Sequence, residues 1–273
     1  MRQVDVRDGA AVAFIGASHE PWQDERRRFG NVRPILRHDL WNDTDYGGLV
    51  DVGERWLRAE EAQTSVARVR EDFERDLEML ERLGYREERR MRVSELDLSV
   101  NRDEIQSRAA EGKLEMETQD VQMMLLSEDP DPERYTKLYE LMIESEKDIP
   151  TTVPRRVPAF EEWRKFWFEN PAIREDRFWI AREGDSIVGT SVLDCPTVQG
   201  VPWTAYTGTS RNVRGRGIAR ALKYQSMAQA IDAGYKRVRT TNDADNPPIL
   251  KINQEMGYRL ISPVIELHRN LGA

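Results

Sequence analysis

The stretch Arg211-Asn-Val-Arg-Gly-Arg-Gly-Ile-Ala-Arg-Ala-Leu-Lys223 constrains this chain more than any other. The residues before it, Val201–Ser210, are β-branched and aromatic, which suits a half-buried strand. After it, Ile218, Ala221, Leu222, Gln225, Ala228 and Ile231 recur at the spacing of one buried helix face. The junction is therefore strand to helix. Gly215 and Gly217 permit tight backbone angles, and the helix that follows presents its positive end at the same place. Arg211, Arg214, Arg216, Arg220 and Lys223 add side-chain charge. Two readings fit the loop taken alone: a cradle for a phosphate or pyrophosphate, or an ordinary glycine turn before a solvated basic helix.

Two common phosphate loops are excluded. No Gly-Lys-Ser/Thr ending is present, and Arg220 stands where a dinucleotide fingerprint needs its third glycine. A net charge of −8 argues against nucleic acid as a partner, since duplex binding requires many neutralised phosphates. An acidic body with one basic notch suits a small anionic ligand. With 33% charged residues and no apolar run of spanning length, no membrane partner is expected. The N-terminus lacks the apolar core of a secretory signal. The single Cys195 forms no internal disulfide, and three histidines supply no metal cluster, so metal ligands are expected to be none and the location cytoplasmic.

The 273 residues suit two medium domains. Residues 3–17 read as a hairpin about Asp8-Gly9, with a further strand at Arg26–Ile35. Residues 41–48 read as polar turns, 49–61 as a helix and 64–71 as a strand. Asp72–Gly84 is a helix stopped by glycine, and Arg89–Leu98 a closing strand. Residues 99–118 are charged and poor in large apolar groups, which suits a linker helix or loop. Strand 120–126, helix 132–147, a Pro-rich loop 148–158 and helix 160–170 follow. A hairpin about Gly184-Asp185 precedes the junction; strand 237–241, helix 247–256 and a final strand 257–267 come after it. The expected domains are 1–98, a linker 99–118, and 119–273.

The two halves repeat. Leu80-Glu-Arg-Leu-Gly-Tyr-Arg86 matches Asn253-Gln-Glu-Met-Gly-Tyr-Arg259, and Ala11–Ile15 matches Ile187–Ser191, each pair roughly 175 residues apart. The first copy lacks the opening strand and two helices. Where the second reads Arg214-Gly-Arg-Gly-Ile-Ala219, the first has Arg37-His-Asp-Leu-Trp-Asn42.

The C-terminal half resembles the GCN5-related N-acetyltransferase (GNAT) family, and the whole chain its tandem-repeat members, the group that includes mycothiol synthase. Arg214, Gly217 and Ala219 fit the family's Arg/Gln-x-x-Gly-x-Gly/Ala motif. Trp179–Gly189 looks like its second and third strands, Asn242–Asn253 like its Asn-rich fourth helix, and Met256-Gly-Tyr258 like its Leu-Gly-Phe ending. The resemblance implies an α/β (α+β) fold of two lobes, each a mixed, mostly antiparallel sheet flanked by helices, the N-terminal lobe incomplete. It implies acetyl-CoA as acyl donor, its pyrophosphate held by the main chain of Arg214, Gly215, Arg216, Gly217, Ile218 and Ala219, with its pantetheine arm along Thr209.

Transfer to an amine needs a deprotonated nucleophile, a stabilised oxyanion and a protonated leaving thiolate. Asn253 occupies the position of the family's tyrosine acid and cannot titrate; it is expected to hydrogen-bond the cofactor or to brace the core. Asn246, before Pro247, is a helix N-cap and a cofactor contact. Tyr206, Asp148 and Asp194 are candidate bases, whereas Cys195 has no histidine beside it in sequence and suits packing.

The expectation is direct acetyl transfer from acetyl-CoA to a primary amine of a small molecule or peptide. The first lobe would shape the acceptor cleft, and the chain would be a monomer or homodimer. A longer acyl-CoA, or a lobe that binds acetyl-CoA without transferring, fits the same residues.

Overall fold

Asp8 and Gly9 both adopt positive φ (52° and 78°), the left-handed pair that a two-residue hairpin needs. They join β1 (Arg2–Arg7) to β2 (Ala10–His19) in an antiparallel ladder. The computed structural model describes residues 1–20, 27–153, 156–196 and 200–272; Arg26 of the expected strand, and Pro154 and Arg155 of the expected Pro-rich loop, lie outside them. β3 (Phe29–Leu36), α1 (Asp43–Ala59), β4 (Thr64–Arg70), α2 (Glu74–Arg82) and β5 (Arg86–Asp97) follow.

The helix α1 starts six residues earlier than the sequence pattern suggests, taking in the stretch expected as turns. Asn42 Oδ1 accepts the Asp45 N–H at 2.9 Å, and Asp43 and Asp45 complement the helix's positive end. These local gains offset the entropy of Gly47 and Gly48 inside the helix. Asn42→Ala is expected to cost about 1 kcal/mol, measured as a lower urea midpoint with an unchanged m-value.

Beyond β5 come α3 (Arg102–Glu117), β6 (Val121–Leu125), α4 (Arg134–Glu146), α5 (Phe160–Phe168), β7 (Phe178–Glu183), β8 (Ser186–Asp194) and β9 (Trp203–Thr209). The chain continues with α6 (Ile218–Asp232), β10 (Arg237–Asp243), α7 (Pro247–Glu255), β11 (Arg259–Leu260) and β12 (Val264–Asn270). Contacts group these elements into two units. Unit 1 comprises Met1–Arg92, Thr151–Arg156 and Ser262–Ala273; unit 2 comprises Val93–Pro150 and Val157–Ile261.

In unit 1 the strand order is β1-β2-β3-β4-β12-β5. Most neighbours are antiparallel; β3 and β4 are parallel. Tyr46, Leu57, Leu80, Tyr85 and Leu267 fill its core. In unit 2 the order β10-β9-β8-β7-β6 is antiparallel except for β9–β10, and β11 pairs with Ser94 and Glu95 of β5. Each unit is thus a mixed, mostly antiparallel sheet with helices against it.

Two expectations about boundaries differ from these units. Residues 99–118, expected as a linker, are largely α3, whose Ile105, Ala109 and Met116 are buried within unit 2. The helix packs through small residues. A Cβ at Gly112 would lie 3.3 Å from the Cβ of Ala221, and Gln225 Nε2 donates to the Ala109 carbonyl at 2.7 Å. Its scarcity of large apolar groups therefore reflects close helix approach rather than solvation. The strand expected at 257–267 is two strands: β11 belongs to unit 2 and β12, beyond Pro263, to unit 1.

The repeat closes its helices identically. Gly84 and Gly257 have φ of 92° and 86°. The Tyr85 and Tyr258 N–H groups each reach back 3.0 Å, to the carbonyls of Leu80 and Asn253. The glycines supply the left-handed residue that stops a helix, and both tyrosines are buried. Among the described residues no helix is long and apolar enough to cross a membrane.

Candidate functional site

β9 pairs with β8 along its length, from Asp194↔Trp203 to Gly189↔Thr209. Its other flank meets β10 at a single register pair, Arg239↔Trp203, beside the Arg239 N–H bond to Pro202 O (2.9 Å). From Thr204 onward the two parallel strands diverge. Unpaired backbone groups on such a flank can pair with an extended ligand. The corresponding strands of the first copy pair over four residues, Phe29↔Thr64 to Val32↔Ala67, before β3 runs on to Leu36.

At the end of β9 a 3-10 turn, Arg211–Val213, leads to extended Arg214. Gly215 and Gly217 then adopt φ of 81° and 86°. An added Cβ at Gly215 would meet nothing within 4 Å, and at Gly217 nothing nearer than 3.7 Å. The left-handed angle, not crowding, therefore demands glycine. Gly217 is the N-cap of α6 and offers no side chain to it, and the first turn holds no acidic residue. Because the first intrahelical bond runs from the Ala221 N–H to Gly217 O (3.0 Å), the Ile218, Ala219 and Arg220 N–H groups have no helical acceptor. Uncapped donors and the helix dipole together make an anion site. At the equivalent end of α1, Asn42 fills the cap and two aspartates oppose an anion.

Arg211 and Arg214 stand at the mouth and share one carboxylate. Asp148 takes Arg211 Nε and Nη2 at 2.9 and 2.5 Å and Arg214 Nη2 at 2.6 Å. These partners hold the Asp148 carboxyl far below the usual range. An ionised, doubly paired carboxylate is a poor proton acceptor at neutral pH. Arg216 points elsewhere, to Gln119 Oε1 (3.2 Å), Gln119 O (3.1 Å) and Glu183 (2.8 Å). Its guanidinium is thus held away from the turn by unit 2's own residues. Arg220 pairs loosely with Glu255 at 3.5 Å.

Lys223 corrects the expected ring of charge. It is 0% exposed, and its Nζ has no hydrogen-bond partner and lies 5.1 Å from the Tyr258 ring centroid. Burial alone pulls its ammonium down to about 7. The sequence carried a signal for this: Lys223 lies on the same stripe as Met227 and Ala230, four and seven residues on, and both are buried.

Asn253 is 4% exposed on α7. Its Nδ2 donates to Asn242 Oδ1 at 2.6 Å, and its Oδ1 is buried without a partner. Such an acceptor fits an amide N–H of a bound chain. Thr209 closes β9, nearly buried. Asn246 takes the N-cap position of α7, yet its side chain makes no capping bond, contrary to expectation. Tyr206 is engaged elsewhere: its hydroxyl meets Ser145 Oγ at 2.7 Å and donates to Met142 O at 3.4 Å, within the aromatic core under α4. Its hydroxyl is thus hydrogen-bonded within that core. Asp194 ends β8 opposite Trp203. Cys195 is buried, its thiol pushed up by desolvation, and its N–H bonds Ala172 O at 2.9 Å. The residues that sequence reasoning missed are Gln119 and Glu144, neither of which lies near the cradle in sequence. No group of side chains suited to a metal ion occurs among the described residues.

Residues 135–258 match the model of the acetyltransferase (GNAT) family. Among solved structures, a GCN5-related N-acetyltransferase from Sphaerobacter thermophilus is similar at a TM-score of 0.71 and 20% identity, over 97% of this chain and 79% of that one. A tandem GNAT protein from the clavulanic acid biosynthesis pathway gives a TM-score of 0.75 at 13% identity, over 100% and 83%. Saccharomyces cerevisiae N-myristoyltransferase with bound myristoyl-CoA gives 0.61 at 10%, over 96% and 67%. No curated protein matches the sequence.

Proposed function

We propose that this chain, which belongs through residues 135–258 to the GNAT acetyltransferase family, uses unit 2 to transfer an acetyl group from acetyl-CoA to a primary amine of a small molecule or peptide. One observation carries the reading. The uncapped N-terminus of α6 opens beside the unpaired flank of β9, so a diphosphate site continues into a slot for an extended chain bearing amides. That sequence of groups, diphosphate then amide-containing arm, is the chemistry of coenzyme A.

Bound acetyl-CoA supplies an activated acetyl thioester. The main-chain N–H groups of Arg214 to Ala219 hold the pyrophosphate, and the free flank of Thr204–Thr209 aligns the arm. Asn253 Oδ1 accepts an arm N–H while Asn242 fixes the orientation of its amide. Asn246 stands at the start of α7, its side chain without a capping role. An amine that arrives neutral requires no base from the protein: as its nitrogen bonds the acetyl carbon and the C–S bond breaks, the surplus N–H proton passes to the departing CoA thiolate, which accords with the engagement of Tyr206 and Asp148. The acceptor is a primary amine in this reading, and the reducing cytoplasm suits the lone buried Cys195.

Isothermal titration is expected to give one acetyl-CoA per chain, because unit 1 lacks the glycine cradle and its α1 is capped by Asn42 behind two aspartates. Incubation with a panel of primary amines should release CoA thiol. Two equivalent sites, or none, overturn the proposal. Binding without thiol release for any amine favours instead a module that holds acetyl-CoA as a ligand, a reading prompted by the non-titrating Asn253.

A further inference from the structure

The anion site at α6 carries its own anion. Asp148, just beyond α4, lies 63 and 66 residues from the two arginines it binds, so the contact is a product of the fold rather than of local sequence. Its two oxygens satisfy Arg211 in a fork and Arg214 by a single bond. A second carboxylate, Glu144 on α4, accepts the Arg211 main-chain N–H at 3.0 Å. The cationic groups at the mouth that face outward are thus matched by acid from the α4 side. The ion pairs are half-exposed, with Arg211, Arg214 and Asp148 side chains at 55%, 43% and 31% of full exposure. Such pairs are weak and exchangeable in water.

We propose that Asp148 is a specificity-determining residue: an internal carboxylate that occupies Arg211 and Arg214 until a diphosphate displaces it, and that keeps singly phosphorylated or carboxylate-bearing small molecules out of the cradle. This rests on the reading of the cradle as a coenzyme A site. A carboxylate and a small monoanion compete on nearly equal terms for a guanidinium. A diphosphate also engages the uncapped N–H groups of α6, brings more charge, and wins. Discrimination between ligands then comes from the cost of breaking the Asp148 contacts, which only the multiply anchored ligand recovers.

The test is calorimetry on the full chain with CoA and, separately, with inorganic phosphate, for the unmodified protein, Asp148→Asn, Arg211→Gln/Arg214→Gln, and the triple variant. In Asp148→Asn, CoA is expected to bind about three- to tenfold more tightly, and phosphate to gain by a larger factor, so that the ratio of the two affinities narrows. In the Arg211→Gln/Arg214→Gln background, Asp148→Asn should change neither. Equal tightening in both backgrounds means that Asp148 acts only as a nearby negative charge, and overturns the inference. So does weaker CoA binding in Asp148→Asn, which would make the carboxylate a brace for the arginines. Unaltered tight binding of CoA in all four proteins overturns the inference alone, whereas failure of CoA to bind any of them overturns the cradle reading itself.

Discussion

Gly217→Val is expected to lower acetyl-CoA affinity by at least roughly a hundredfold, or ~2.7 kcal/mol. Valine resists the φ of 86° that Gly217 adopts because a β-branched side chain in the left-handed region costs on the order of 1–3 kcal/mol. Nothing crowds the position, so relief comes by rotating the backbone and not by moving neighbours. That rotation turns the N–H groups at the start of α6 away from their common focus. The loss should appear in titration calorimetry, while the far-UV circular dichroism spectrum and the bulk of the unfolding transition persist. Affinity retained within threefold would return the Arg214–Ala219 stretch to being an ordinary turn.

Lys223→Met is expected to stabilise the protein, an unusual direction for a core substitution. The ammonium falls from its ordinary 10.5 to about 7, a difference corresponding to roughly 4–5 kcal/mol at about 1.4 kcal/mol per unit. Some of that gain is offset by loss of the contact with the Tyr258 ring and imperfect fit of methionine, leaving about 2–4 kcal/mol near pH 7. The pH profile separates this from a simple packing effect. Between about pH 7 and 10.5 the unfolded chain holds a proton on Lys223 that the folded chain releases, so stability rises with pH across that window. Below about 7 both states are protonated and this contribution is flat. In Lys223→Met the rise should vanish. Urea denaturation at pH 7 and pH 9.5 reads it directly, and equal slopes in the two proteins would mean that Lys223 is solvated or paired.

Local chemistry was the readable part of this chain. The Asp8-Gly9 hairpin, the glycine stop at Gly84 and the Gly215/Gly217 turn each depend on conformations that few residues adopt, and each occurs where the sequence places it. The repeat was equally visible, because Tyr85 and Tyr258 close their helices by the same bond. What was hidden depends on partners distant in sequence. Asp148 has the composition of a loop acid, and only folding brings Arg211 and Arg214 to it. The splay between β9 and β10 is an absence of pairing, which no alternation pattern encodes. Lys223 carries a charge that suggested the surface, although its neighbours on the helix face indicate burial. The start of α1 was missed because two glycines in a polar run outweighed a good cap at Asn42.

The strand β12 lies between β4 and β5, pairing with both, and belongs to unit 1. Val264 follows the end of β5 by roughly 170 residues, so during synthesis β4 and β5 leave the ribosome with no strand to join them. At ordinary elongation rates of about 5–20 residues per second, that gap lasts on the order of ten seconds or more. Nearly all of unit 2 is made in the interval. The half of the chain that begins first therefore finishes last, and a gene fragment cut at the end of β5 encodes a sheet with a missing middle rather than a domain.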